Sequence, residues 1–404
     1  MIPVQKEHFG IRGESDQSAG IDWLPQFANE SRFGDRMKGY YLFAPVEKEN
    51  AGPGSGVERK VRAQCKALQQ YLDCELVILP PVQYSGGVAE KIIRRLPLTA
   101  AWRKWKYKGE FNDADFLYIR QVYHDASFAR YLRAIRRQNP KIRIVYEVPT
   151  YPYLTEQKTS RANAAFRKKE VRWCERAAKY MDRIVTFYGQ DEIWGVPCIK
   201  LINGFDFSSV ELPERPAPKD VQIISVAATA FWHGYDRLIE GIHQYYENGG
   251  TEQITYHVVG NILPELQKMV KDYHLEDHVI FHGRQSGDAL RKLYEQCYLG
   301  VDVLGGHRKD YPISSSLKSR EYAAYGLPIL TSSPVDYLPK DDTYQIIVPY
   351  DDSPVDIQNL LTYFHRMYRV APNELAKVIR DNAQTACDMC ATMRPVADWL
   401  GQND

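Results

Sequence analysis

Ser314-Ser-Ser-Leu-Lys-Ser-Arg-Glu-Tyr-Ala-Ala-Tyr-Gly-Leu-Pro-Ile-Leu-Thr-Ser332 is the stretch from which the rest of the chain can be read. Its serines suit a helix start, because a hydroxyl accepts from the first unpaired amides. Gly326 and Pro328 stop the helix, predicted over 316–325. The apolar run 329–332 is then a strand. A helix start with free amides and small residues is an anion site, and Lys318 adds positive charge. Glu321 lies one turn further, on the face shared with Leu317 and Lys318. A turn rises ~5.4 Å, which suits a diphosphate at the helix start and a ribose diol on Glu321. A carboxylate accepts from two hydroxyls at once. On the residues alone, a surface helix in which Glu321 pairs with Lys318 is the plainer alternative.

Outward from this stretch, short apolar runs alternate with helical patterns. Before it, strands are predicted at 221–227, 255–260, 279–282 and 300–304, and after it at 329–332 and 345–348. Helices fall near 236–246, 288–296, 355–368 and 374–387. The segment 207–220 carries Pro213, Pro216 and Pro218 and reads as a linker. Ahead of it the alternation recurs, with strands at 40–44, 75–79, 116–119, 142–146, 183–187 and 199–202. A helix over 57–72 shows Val57, Val61, Leu68 and Leu72 on one stripe. Such alternation implies parallel sheets covered on both faces. The predicted division is an extension over 1–36, a first α/β domain over 37–206, the linker, a second α/β domain over 221–385 and a terminal helix over 386–404. Two doubly wound domains in tandem leave a cleft between them, with ligands at the carboxyl ends of the strands.

Composition is that of a globular chain, with 44% hydrophobic and 25% charged residues in 404. No apolar run is long enough to span a membrane, and Met1 to Gly20 has no secretory pattern, so a cytoplasmic chain is expected. Seven scattered cysteines fit a reducing compartment. Cys387 and Cys390 form a lone CxxC without the second pair that zinc would need.

The net charge of +1 conceals a split, since residues 37–205 carry +13 and residues 206–404 carry −10. The basic half therefore faces something anionic. Its densest stretch, Lys91 to Lys108, has seven Lys and Arg and no acid. Trp102, Arg103, Lys104, Trp105 and Lys106 stand at its centre, among Ile92, Ile93, Leu96 and Leu98. Aromatic rings among cations suit an anionic membrane surface or a lipid-linked acceptor. A solvated loop with its aromatics folded inward is the alternative; a nucleic-acid partner is not expected.

The segment around Glu321 resembles the donor-nucleotide segment of retaining glycosyltransferases of the family-4 (group 1) type. Other pieces fall in the family's order. Gly52-Pro-Gly-Ser-Gly56 is similar to its glycine loop, with Gly54 and Gly56 facing the cleft. Asp277 to Arg284 looks like its V-x-F-x-G strand and loop, with Gly283 and Arg284 beside the base. Trp232 to Arg237 stands where the family usually has Lys-Gly. The resemblance implies the GT-B fold, a nucleotide-sugar donor that is a substrate rather than a cofactor, no metal, and retention of configuration. It gives Glu321 to the ribose and the amides near Ser316 to the diphosphate.

The sequence departs from that pattern. Ile313 stands where the family's first acid belongs, and Asp310 is the nearby candidate to replace it. The usual phosphate-binding Arg and Lys of the first loop are missing, leaving His233, Arg237, Arg308 and Lys318 as the candidate cations. In the first domain, Glu147 follows a strand and is a candidate to orient the acceptor hydroxyl or donor sugar, or to cap local amides. His124 ends the preceding strand and is a second catalytic candidate. The reading is a membrane-associating transferase that moves a sugar, expected from UDP, to a glycan or polyprenyl-diphosphate-linked acceptor in polysaccharide biosynthesis. The alternatives are a non-catalytic GT-B subunit that stabilises a partner transferase, and a nucleotide-sugar epimerase.

Overall fold

The computed structural model describes residues 36–45, 56–82, 87–96, 98–151, 161–187, 189–339 and 342–402. The proposed extension over 1–36 therefore lies, but for Arg36, outside the described residues, as does Gly54 of the glycine loop.

The first sheet contains β1 (Lys38–Phe43), β2 (Asp73–Ile78), β3 (Phe116–Arg120), β4 (Arg143–Val148), β5 (Arg183–Thr186), β6 (Glu192–Ile193) and β7 (Val196–Lys200). Its order is β2-β1-β3-β4-β5-β7-β6. Every pairing is parallel except the β6–β7 hairpin. The helices of this half are α1 (Gly56–Leu68), α2 (Val88–Arg95), α3 (Ala126–Gln138) and α4 (Arg161–Ala178). Strands β3 and β4 are buried nearly throughout, which explains apolar runs without alternation.

The second sheet contains β8 (Val221–Val226), β9 (Ile254–Val259), β10 (Val279–Gly283), β11 (Leu299–Val301), β12 (Ile329–Thr331) and β13 (Gln345–Ile347). All its pairings are parallel, in the order β10-β9-β8-β11-β12-β13. Its helices are α5 (Tyr235–Glu247), α6 (Pro264–Asp272), α7 (Gly287–Gln296), α8 (Leu317–Ala324), α9 (Ile357–Met367) and α10 (Pro372–Cys387). The last helix, α11 (Met389–Gly401), packs on α1. Its Met393, Val396 and Leu400 join Val61, Leu68 and Val185 in the core of the first half.

The two α/β halves expected from the alternation are present. The strands match to within a few residues, and the missed strand is the two-residue β6, too short for any period. Helices α2, α3, α4 and α6 were not among those predicted, and α2 carries its aliphatic residues on the solvent side. The segment 207–220 is no loose tether. Phe207 is fully buried in the second core, and Arg215 donates to the carbonyls of Cys297, Tyr325 and Tyr294. The two chain crossings between the halves run side by side. Phe205 N donates to Cys387 O, and Met389 N donates to Phe205 O, each at 2.9 Å.

Candidate functional site

The site is built on a carboxylate that follows β11. Asp302 is fully buried, and its carboxylate accepts from Ser314 Oγ at 2.5 Å and Ser316 Oγ at 2.6 Å. Lys318 Nζ lies 3.5 Å from the same carboxylate. It also donates to the Asp302 carbonyl at 2.8 Å and to Tyr235 Oη at 3.1 Å. Ser316 is the N-cap of α8, accepting from Ser319 N at 3.1 Å. A buried anion persists only when paired and hydrogen-bonded, so Asp302 fixes the serine loop and Lys318 together. Burial pulls the Lys318 pKa down, and Asp302 opposes that pull.

This corner opens into a cavity of about 150 Å³ lined by Trp232, His233, Val303, Lys309, Tyr311, Ser316 and Lys318. That is less than the ~300 Å³ of a small ligand pocket, so it suits one part of a larger ligand. Two short 3-10 turns form its far side, Phe231–His233 and Gly306–Lys309. They can approach because of Gly234, whose φ is +66° and where a Cβ would stand 2.3 Å from Gly305 N. Any other residue there is strained and also meets backbone.

His233 lines the cavity, but as a neutral ring. Its Nδ1 accepts from Ala230 N at 3.0 Å. Burial, then Lys318 and Lys309, push its pKa down to about 2. The expectation of a His233 cation is therefore corrected. The charge on the cavity wall comes from Lys318 and from Lys309, which sits 4.9 Å over the Trp232 ring.

Glu321 is half-buried, three residues beyond Lys318 on α8. Lys318 is held by Asp302, so it is not tied to Glu321 as a surface-helix reading requires. Burial raises the Glu321 pKa, while Arg59 and the Tyr294 hydroxyl favour its anion. Among the described residues that hydroxyl has no partner in hydrogen-bonding geometry. Arg59 lies in the first turn of α1, so the helix that begins at Gly56 brings a cation toward Glu321.

Two expected cations are committed elsewhere. Arg237 is almost fully buried and donates to the carbonyls of Leu304, Ser353 and Pro349. It braces the loops beneath the cavity. Arg308 grips both oxygens of Asp236, at 2.8 and 2.7 Å, and Asp352 at 2.7 Å. These bonds raise its pKa further. The sequence shows that an arginine is near a site but not which way it points. Asp310 is exposed, has a φ of +50°, and ends the second turn without lining the cavity. Gly283 and Arg284 are exposed at the end of β10, outside the cavity.

The first-half candidates turn inward. Glu147 is fully buried, paired with Arg120 and 3.6 Å from Lys60. Tyr118 Oη donates to it at 2.6 Å, Gln64 Nε2 at 3.0 Å and Tyr41 Oη at 3.4 Å. It is saturated by protein donors rather than presented to an acceptor. His124 is likewise buried, against Phe128, Tyr146 and Trp194, and neither ring nitrogen has a hydrogen-bond partner among the described residues. Burial pushes its pKa down to about 3, so it is a neutral ring inside an aromatic cage.

The basic stretch is also rearranged. Trp105 is buried against Phe128 and Tyr131, and Trp102 stacks on Phe166 with Arg94 3.7 Å over it. Arg103 is half-buried and donates to Pro80 O. Lys104 and Lys106 are exposed. The tryptophans are therefore not the outward-facing group.

Sequence reasoning missed Asp302, Lys309, Tyr311, Arg59 and Asn203. Asn203 joins the halves, accepting from Lys60 Nζ at 2.6 Å and donating to Ser315 O at 2.5 Å. Its carbonyl accepts from Arg320 Nε at 3.0 Å. An acid directly after a central apolar strand was the one local signal for Asp302. Among the described residues no cluster of His, Cys, Asp and Glu could hold a metal ion, and no helix is long and apolar enough to cross a membrane.

Residues 211–340 match the family model described as glycosyl transferases group 1, so the resemblance stated above holds for the second half. No curated protein matches the chain significantly. Among solved structures, HepE of Anabaena in complex with UDP and glucose is 13% identical, covering 90% of this chain and 99% of that one at a TM-score of 0.56. Sucrose-phosphate synthase of Thermosynechococcus elongatus is 14% identical over 90% and 98%, with a TM-score of 0.58. A glycosyltransferase of Rickettsia africae is 9% identical over 92% and 100%, also at 0.58. At such identities the likeness is one of fold, and the fold is GT-B.

Proposed function

We propose that this chain is a retaining, metal-independent glycosyltransferase that moves a sugar from UDP to a hydroxyl of a glycan or lipid-linked glycan. The observation that carries the proposal is the Asp302 corner. It holds the serine loop, the start of α8 and Lys318 around one recess, with Glu321 a turn along the same helix. A diphosphate at the helix start would place the ribose diol on Glu321. As the bond from sugar C1 to the β-phosphate oxygen breaks, negative charge grows on that oxygen. Helix amides, Lys318 and Lys309 then stabilise it without rearranging. The group 1 match over 211–340 covers this corner, and HepE with UDP on the same fold supports the choice of nucleotide. As the acceptor oxygen bonds to C1 from the front face, its proton passes to the departing phosphate oxygen, so no dedicated base is needed, which agrees with the inward placement of Glu147 and His124.

The commitment of Arg237 and Arg308 to protein partners favours one second reading, a GT-B subunit that binds a partner transferase without catalysing transfer. Incubation with a panel of nucleotide-sugars separates the two. The transferase reading expects slow release of UDP from one UDP-sugar even without acceptor, with the freed sugar first appearing in the donor's anomeric form by NMR. Folded protein that releases no nucleotide from any donor, with or without acceptor glycans, contradicts it.

A further inference from the structure

α2 is built inside out. Its cation Arg94 is buried, donating to Ala101 O and lying over the Trp102 ring. Aliphatic residues on it and just past its end face solvent: on the helix Val88 is 74% exposed, Ile92 58% and Ile93 52%, while Leu96 at its C-cap is 48% and Leu98 beyond it 64%. Positions 88 and 92 stand four residues apart on the helix and so share one face. The helix is not adrift. Lys169 Nζ of α4 donates to Arg94 O at 2.7 Å, and Thr99 Oγ1 donates to Ile93 O at 2.6 Å. Three exposed aliphatic side chains on a fixed helix, with two more directly after it, are costly unless something covers them.

The surroundings of the patch select the cover. The segment 91–108 carries seven Lys and Arg and no acid. Lys104, Lys106 and Lys108 are exposed in it. α4, which packs on α2, adds exposed Lys168 and Arg172 beside Val171, itself 50% exposed. Exposed aliphatic side chains, with exposed cations on the segment that follows and on the helix packed beside them, suit the boundary between headgroups and acyl chains of an anionic bilayer. A protein partner's interface would be richer in aromatic residues and poorer in lysine. A second copy would bring the same positive charge against itself. We infer that α2 and the basic surface around it form a docking face for an anionic phospholipid membrane, with Ile92, Ile93 and Leu98 entering the interface. This face stands independently of what the Asp302 corner binds.

Cosedimentation of the full chain with vesicles tests it, using phosphatidylcholine alone and an equimolar mixture with phosphatidylglycerol. Wild type is expected to bind the mixed vesicles and to lose binding as salt rises. Replacing Ile92, Ile93 and Leu98 by serine should lower the partition constant at least ~10-fold, since affinity scales with inserted apolar area. The variant's melting curve and UDP affinity should stay those of wild type, because these side chains touch solvent. Changing Lys104, Lys168 and Arg172 to glutamine should weaken binding to mixed vesicles and leave the phosphatidylcholine arm alone. Wild type that ignores both vesicles, or a serine variant that binds like wild type, overturns the proposal. A wild-type dimer that the serine variant renders monomeric, without vesicle binding, overturns it in favour of a second copy.

Discussion

Each half of the molecule hides a carboxylate at the end of a central strand and pairs it with a lysine, yet the two do different things. Glu147 is saturated by Arg120, Lys60, Tyr118, Gln64 and Tyr41, leaving no lone pair for a ligand. Asp302 spends its oxygens on two serine hydroxyls and Lys318, and of these Ser316 and Lys318 line a cavity. Burial of charge alone therefore does not mark a site. What distinguishes the two is whether the partners of the carboxylate face protein or open space. Asn203 connects them, through Lys60 on one side and Ser315 on the other.

The contrast breaks most visibly at Glu147. Glu147→Ala leaves Arg120 and Lys60 buried without an anion and should cost about 3–5 kcal/mol in urea unfolding. A variant as stable as wild type would show that the first cluster is not structural. His124 supplies a pH test of the same half. Its folded pKa of about 3 lies below the ordinary ~6.5, so the unfolded chain binds a proton that the folded chain refuses. That stability is complete above the ordinary value and is lost as pH falls, by about 3 kcal/mol between pH 7 and pH 4. His233 and His257 act in the same direction. His124→Phe, which suits the aromatic cage, should flatten its share of the acid limb; an unchanged slope would remove the ring from the argument.

Asp302 should behave the opposite way, with function lost before fold. Asp302→Asn weakens the hold on Ser314, Ser316 and Lys318 and should cost ~1–3 kcal/mol of UDP affinity. Affinity equal to wild type would detach the recess from nucleotide binding. The smallest effect is expected at the connection. Asn203→Ala should lower UDP affinity by ~0.5–1.5 kcal/mol. In a double-mutant cycle with Lys60→Met the two changes should be non-additive, because the side chains share one hydrogen bond.

The two halves also differ in what their sequences disclosed. Strand–helix alternation made both sheets legible, because strands buried on both faces leave unbroken apolar runs such as Phe116–Ile119. The α8 stretch was legible because caps and stops are local, so Ser316, Lys318 and Glu321 could be placed on one short helix. Arg237 and Arg308 were misread, since an arginine near a site looks the same in sequence whether it meets ligand or backbone carbonyls. Asp302, Arg59 and Asn203 reach the corner from separate parts of the chain, and no spacing records that. In α2 the periodicity is plain, but which face meets solvent is not written in it.

The central claim is that α8 receives a nucleoside diphosphate with its ribose on Glu321. Calorimetric titration of UDP, GDP and ADP into wild type and Glu321→Ala, without divalent metal, tests it most directly. The account predicts selective UDP binding that weakens by ~1–3 kcal/mol in the variant while its melting curve is unchanged. Burial raises the Glu321 pKa, so the gap between the two proteins should narrow on acidification earlier than for an ordinary carboxylate. Folded wild type that binds none of the three, or a variant that binds UDP as tightly as wild type, would contradict it.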